Sequence, residues 1–312
     1  MTFDDLNYFG LQRKPFLFIS DFKGENLKVI PLDELSSKDI EFSIDENYKK
    51  QYHEHYLQKI PIDFNQYKNK FDKIIQKIKS GETYLLNLTQ PTKIETTLTL
   101  KEIYTNANAH YKLRYKDKFV CFSPEKFIQI GEDKIHTYPM KGTIDASIDN
   151  AKEKILNNKK EMAEHIMVVD LLRNDLSIVA TDVKVEDFRY VQTVEAGEKK
   201  LLQVSSHISG NVGNNWHNRI GDILKALLPA GSISGAPKKS TLEIIDNIEG
   251  YDRGFFSGVF GVYDGKKLDS GVMIRFIEKT EDGYIYKSGG GITIDSDVND
   301  EYNELLDKIY LP

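Results

Sequence analysis

Apolar residues recur along this chain with two different periods, and the predicted elements follow from which period holds where. Short apolar runs at 16–20 (Phe-Leu-Phe-Ile-Ser) and 27–30 predict strands. Segment 45–79 is polar and rich in Tyr and Lys. In its second half, however, Phe64, Tyr67, Phe71, Ile74, Ile75 and Ile78 recur at helical spacing, and Ser80-Gly81 supplies a stop. Strand-like runs follow at 83–89, 118–122, 126–130 and 134–137, the last two joined by a hairpin turn at Gly131-Glu-Asp. A long helix is expected over 151–173, ending near Asn174-Asp175. Beyond it, strands at 178–185, 200–204, 257–263, 271–277 and 284–287 alternate irregularly with helices near 217–228, 237–247 and 300–310. Hairpin-like strand pairs without regular βαβ alternation predict an α+β fold dominated by antiparallel sheet, not a Rossmann fold or a TIM barrel. With no repeat and no linker-like stretch, one domain spanning 1–312 is the expectation.

Composition narrows the partners. Lys and Arg number 42 against 48 Asp and Glu, a net charge of −6 with no basic block, so nucleic acid is not an expected partner. The single Cys121, set between Val120 and Phe122, cannot form an intrachain disulfide and reads as a small buried hydrophobe in a reducing compartment. The acidic start lacks a secretory signal, and no apolar run approaches the roughly 20 residues that span a bilayer, so a cytoplasmic protein with no membrane partner is expected.

Common catalytic motifs do not fit. Gly231-Ser-Ile-Ser-Gly-Ala-Pro-Lys238 lacks Walker spacing, Gly289-Gly-Gly291 is not a dinucleotide fingerprint, and Ile233 stands where a nucleophile elbow needs Ser. His53-Glu54-His55 has no third ligand in view and reads as a solvated patch. Two carboxylate pairs remain. Glu161 and Glu164 are an (i, i+3) pair in the long helix, on a stripe that continues through Val168, Leu171 and Leu172. Glu301 and Glu304 repeat the spacing at the C-terminus, followed by Lys308. Four converging carboxylates would need a cation between them, and an all-oxygen set that keeps waters suits Mg²⁺. Taken alone, each pair reads more simply as surface charge than as a metal site.

The two pairs belong to a longer series. Gly81 to Thr89, Ser123-Pro-Glu-Lys-Phe127, Pro139-Met-Lys-Gly-Thr143, Glu161 to Asp175, Pro229 to Lys238, Arg253-Gly254, Ile274-Arg275 and Gly289 through Lys308 occur in an order that resembles the chorismate-utilising enzymes. This group comprises anthranilate synthase component I, aminodeoxychorismate synthase component I, and the isochorismate and salicylate synthases. The resemblance runs from about residue 60 to the end, leaving 1–60 as a shortened N-terminal region without room for a tryptophan-binding extension. It implies large antiparallel sheets stacked as a sandwich with outer helices and an active site in a cleft. It also implies Mg²⁺ held directly by Glu164 and Glu304 and largely through water by Glu161 and Glu301.

Within that group the residue at Lys141 points to aminodeoxychorismate synthases, since anthranilate synthases carry a small residue there. Leu85 replaces the water-activating Lys of the isochorismate and salicylate synthases. The resemblance then implies conversion of chorismate and ammonia to 4-amino-4-deoxychorismate on the route to p-aminobenzoate and folate. Lys141 would be the nucleophile and Glu125 the general acid. Arg275, backbone groups near Gly289 and Gly291, Thr143, Lys308 and Gln203 would contact substrate. The Lys141 amine needs a neutral fraction, which burial promotes and nearby carboxylates oppose. Phe256 stands where the group often has a Tyr, while Asp170, Arg173, Asn174 and Asp175 read as a structural lock at a helix end. With one Cys and no glutaminase domain, ammonia is expected from a separate glutamine amidotransferase. Anthranilate synthase component I and a catalytically silent chorismate-binding subunit are the competing readings.

Overall fold

The computed structural model describes residues 1–45, 55–196 and 199–312; His53 and Glu54 lie outside them. The chain enters through helix α1 (Phe3–Leu11) and the hairpin β1 (Phe16–Ser20) and β2 (Leu27–Pro31), then β3 (Ile40–Ile44) and β4 (Leu57–Ile60). Helix α2 (Phe64–Lys79) follows as its periodicity requires. Asp63 caps it by accepting the N–H of Asn65, Tyr67, Phe71, Ile74 and Ile78 are buried, and Gly81 at φ +76° ends it. Strand β5 (Leu85–Thr96) outlasts the expected 83–89. Pro91 faces Lys287 of β17 on one edge, and on the other falls between the stretch paired with β13 and the stretch paired with β4, an unpaired edge that tolerates a missing N–H.

After α3 (Leu100–Asn106) come β6 (Tyr111–Tyr115), β7 (Phe119–Ser123), β8 (Lys126–Gly131), β9 (Lys134–Thr137) and β10 (Met140–Asp145). The expected long helix is broken into α4 (Ala151–Asn157) and α5 (Lys159–Val179). Asn158 adopts an extended conformation and its side chain accepts the N–H of Glu161, a cap that restarts the helix. The hairpin β11 (Thr181–Ala196) and β12 (Lys199–Asn211) follows, then α6 (Ile220–Leu227), β13 (Gly235–Ala236), α7 (Lys238–Glu249), β14 (Val259–Tyr263) and β15 (Leu268–Val272). Last come β16 (Phe276–Thr280), β17 (Gly283–Ile292) and α8 (Val298–Asp307). The run 271–277, expected as one strand, is two. Met273 to Arg275 carries the chain from one sheet to the other, with Arg275 at φ +51°.

Two antiparallel sheets result, one ordered β10-β12-β9-β8-β15-β14-β1-β2 with β11 on β12, the other β13-β5-β17-β16-β7-β6-β3 with β4 on β5. Strand β1 shows why they stack. Phe16 and Phe18 enter a core shared with α2, α5, α6 and α7, whereas Leu17 and Ile19 enter a second core with Tyr111, Phe119, Cys121 and Phe276 of the other sheet. Buried on both faces, β1 reads as a continuous apolar run. A third cluster, with Leu100, Ile103 and Tyr286, packs α3 on the far face of the second sheet. Among the described residues no helix is long and apolar enough to cross a membrane.

Candidate active site

A cavity of about 150 Å³ has Lys141, Glu125, Glu164, Glu304, Gly291 and Lys308 in its wall, residues from five separated segments. Each arrives by a local device. Strand β10 pairs irregularly with β12 between Met140 and Thr143, and Gly142 sits at φ +90°. Such a bulge re-aims a side chain, and here Lys141 Nζ meets Glu164 Oε2 of α5 at 2.7 Å. Behind it, His165 meets Ser206 Oγ at 2.7 Å, and the Ser206 N–H donates to the Pro139 carbonyl at 3.0 Å, so α5 and β12 together fix the segment bearing Lys141.

Both glutamate pairs lean on glycines. A Cβ on Gly142 would lie 3.2 Å from Glu161 Oε2, and one on Gly290 would lie 3.1 Å from Glu301 Oε2. Any side chain at either position would press on a carboxylate. Burial raises the Glu161 carboxyl above its ordinary value against the pull of Lys141, with Glu164 and Glu304 adding to the rise. Glu301 is likewise raised by burial, although it accepts a hydrogen bond from Ser296 at 2.8 Å. Glu304 is driven the other way: burial opposes its charge, but Lys308 at 2.6 Å and Lys141 outweigh it. The two pairs therefore face one another closely enough to shift each other's protonation.

Among the described residues no three acidic, histidine or cysteine side chains stand together as a direct ligand set for one ion. Lys141 and Lys308 instead neutralise one glutamate of each pair. Glu161 Oε2 is buried with no hydrogen-bond partner. An orphaned carboxylate oxygen among four carboxylates fits a hard cation that keeps most of its waters and takes few direct protein ligands.

Glu125 follows β7 and faces the cavity. Ser232 donates to its Oε1 at 2.5 Å. Burial holds its carboxyl above the ordinary value, opposed by the Ser232 hydrogen bond and by the charges of Lys308 and Arg275. A carboxyl group whose pKa is raised in a cavity is suited to deliver a proton. Lys141 is placed less favourably for its expected role, because burial lowers its pKa but Glu164, Glu304 and Glu161 more than reverse this and hold the ammonium above the usual lysine value.

Arg275 is not in the cavity wall itself. It sits at the crossover between the sheets, its charge reaches Glu125 and Glu304, and its Nε is buried without a partner. Strand β16 pairs with β17 only as far as Lys287, so the Ser288–Ile292 stretch presents one edge towards the cavity instead of a strand. Lys308 already donates to the Gly289 carbonyl at 2.7 Å, while Gly290 and Gly291 line the cavity. Thr143 and Gln203 pair with each other across β10 and β12, outside the cavity wall, and the Gln203 amide accepts from Gln192. Leu85 is in the wall. Phe256 is buried against Phe276 in the inter-sheet core, and Cys121 is fully buried.

The expected lock at 170–175 divides. Because α5 continues to Val179, Asp170 and Arg173 form an exposed pair within the helix, while Asp175 is buried and paired with Lys238 at 3.0 Å. Sequence reasoning does not single out Ser232, whose segment is considered as a phosphate loop, a nucleophile elbow and a family motif without a role for this residue, or His165, which follows Glu164 in an otherwise apolar stretch.

The family model described as chorismate binding enzyme matches residues 23–311. The chain belongs to this family. It is 46% identical to an uncharacterized PabA-like protein of Haemophilus influenzae, over 99% of this chain and 95% of the relative. It is 32% identical to aminodeoxychorismate synthase component 1 of Salmonella typhimurium, over 78% of this chain and 56% of that protein's length. The menaquinone-specific isochorismate synthase MenF of Escherichia coli shares the fold, with a TM-score of 0.74 at 14% identity over 97% of this chain and 79% of its own. This chorismate-binding family member thus has two stacked antiparallel sheets and a cavity where the family's motifs meet.

Proposed function

We propose that this chain acts as component I of an aminodeoxychorismate synthase, replacing the C4 hydroxyl of chorismate by an amino group with ammonia from a separate glutamine amidotransferase. The observation that carries the reading is Lys141 in the wall of one cavity together with a half-buried acid, Glu125, and with Leu85, which cannot activate water. The distinction from an anthranilate-forming enzyme rests on Lys141 and not on overall similarity.

Glu164 and Glu304 would hold Mg²⁺ directly, with Glu161 and Glu301 acting through its waters; the ion supplies charge for the ring carboxylate and relieves the repulsion among the four glutamates. Arg275, the Gly289–Gly291 edge and Lys308 orient the substrate carboxylates. The neutral form of the Lys141 amine adds at C2 as both ring double bonds shift, C1=C2 to C1=C6 and C5=C6 to C4=C5, and the C4–O bond breaks, with Glu125 giving its proton to the departing hydroxyl. Ammonia then adds at C4 and expels the lysine, giving 4-amino-4-deoxychorismate. Lys141 stays paired with Glu164 until that carboxylate is engaged elsewhere, so its nucleophilicity depends on an assembled site.

Mass spectrometry of the chain quenched during turnover tests this. The wild type is expected to carry a chorismate-derived adduct on Lys141, and Lys141→Ala is expected to form neither adduct nor product. Wild-type product formation by Lys141→Ala would show that the lysine is not the nucleophile.

A further inference from the structure

Outside the cavity, two histidines meet on the face of the first sheet. His136 of β9 pairs with Ser209 of β12, which sets His207, two residues back on the same face, diagonally beside it. His136 Nδ1 and His207 Nε2 are 3.0 Å apart. Tyr138 lies flat on the His207 ring, 4.7 Å between centroids and tilted by 7°, and Lys126 Nζ caps the other aromatic contact at 4.9 Å from the Tyr138 ring. The imidazoles are thus positioned by strand register and stacking rather than by long flexible side chains.

We propose that the His136–His207 pair is a binding site for a late first-row divalent cation of the class of Ni²⁺, Cu²⁺ and Zn²⁺, distinct from the glutamate cluster. Two imidazole nitrogens bound at about 2.0–2.1 Å to one ion lie about 2.9 Å apart at a right angle and about 3.3 Å apart on a tetrahedron. The observed separation falls within that interval, and a rotation of the rings about their side-chain bonds would turn both nitrogens from each other towards a shared ion. Imidazole is a preferred donor for these ions, whereas Mg²⁺ prefers oxygen. One N–H now bridges the rings. On binding it moves to the other nitrogen of its own ring, leaving two lone pairs towards the ion with no proton lost. Burial, the neighbouring His207 and Lys134 depress the His136 pKa, which keeps that ring neutral, while Glu186 is the nearby acid that opposes them. Water completes the coordination, since no third histidine, cysteine or carboxylate stands in range among the described residues.

The test is calorimetric titration of the tag-free full chain with NiCl₂, CuCl₂ and ZnCl₂ in excess Mg²⁺, which occupies hard oxygen sites. One ion per chain is expected, Cu²⁺ tighter than Ni²⁺ or Zn²⁺. Affinity should fall at least about tenfold in His136→Gln and in His207→Gln, which keep hydrogen-bonding side chains in the sheet, while His110→Ala, an exposed residue beside Asp45, binds as wild type. Electron paramagnetic resonance of the Cu²⁺ form should show two nitrogen ligands. Absence of stoichiometric binding, undiminished binding in both glutamine variants, or an oxygen-only Cu²⁺ spectrum would overturn the site.

Discussion

Two charge clusters in this molecule, one fully buried and one partly so, are built on opposite principles. Arg253 and Glu249 are both almost completely buried and meet at 2.6 Å. Every group around them is matched: Glu249 accepts from the Thr89 N–H and hydroxyl, and Arg253 donates to the carbonyls of Ile233 and Asn87 and to both carboxylate oxygens. The glutamates of α5 and α8 are instead crowded with like charge, raised by burial at Glu161 and Glu301, and leave one carboxylate oxygen orphaned. The first cluster is complete without a ligand and holds up the second, since Asn87 and the Ile233 segment also frame the cavity. A satisfied network specifies structure, and an unsatisfied one marks where something else binds.

Removing a charge should therefore have opposite consequences in the two places. Glu249→Gln strands the Arg253 guanidinium and is expected to cost about 3–5 kcal/mol in denaturant unfolding, enough to lower folded yield and activity together. Glu301→Gln should do the reverse to stability. Its folded carboxyl pKa is raised, so near pH 7 ionisation costs stability that a neutral amide does not; the metal-free chain should unfold at equal or slightly higher denaturant. Activity in that variant should drop about 10- to 100-fold, as when a group that orients a metal site is removed.

A smaller effect sharpens the role of the acid. Ser232→Ala removes the hydrogen bond that opposes the raised Glu125 pKa. The reaction needs Glu125 protonated, so rate falls as pH rises through its pKa, and the variant should carry that limb to higher pH. At its optimum, kcat should drop by about tenfold, the worth of one such hydrogen bond. An unmoved alkaline limb would separate Ser232 from the acid.

How much of this was legible in the sequence depended on the range of the forces involved. Helix α2, the hairpin of β8 and β9 and the carboxylate spacing follow from local periodicity, and all are present. Helices α1 and α3 carried a local signal that went unread, the capping boxes Thr2 with Asp5 and Thr99 with Glu102. The break at Asn158 was also a capping signal, hidden inside a continuous helical pattern. The end of α5 was misplaced because Asp175 reads as a polar terminus, when its burial is settled by Lys238, 63 residues away. Likewise no local pattern reveals that Arg275 turns between sheets, that Ser232 meets Glu125, or that Glu164 holds Lys141 as a cation. Ordered motifs brought the candidate residues to one place; which of them touch the cavity needed the tertiary structure, and Thr143 and Gln203 stand outside its wall.

The central claim is the product. Wild-type chain incubated with chorismate, ammonium and Mg²⁺, and analysed by chromatography with mass detection, is expected to yield 4-amino-4-deoxychorismate, with p-aminobenzoate appearing only when a pyruvate-eliminating lyase is added. Fluorescent anthranilate as the product, or intact chorismate despite Mg²⁺-dependent binding, would contradict the account.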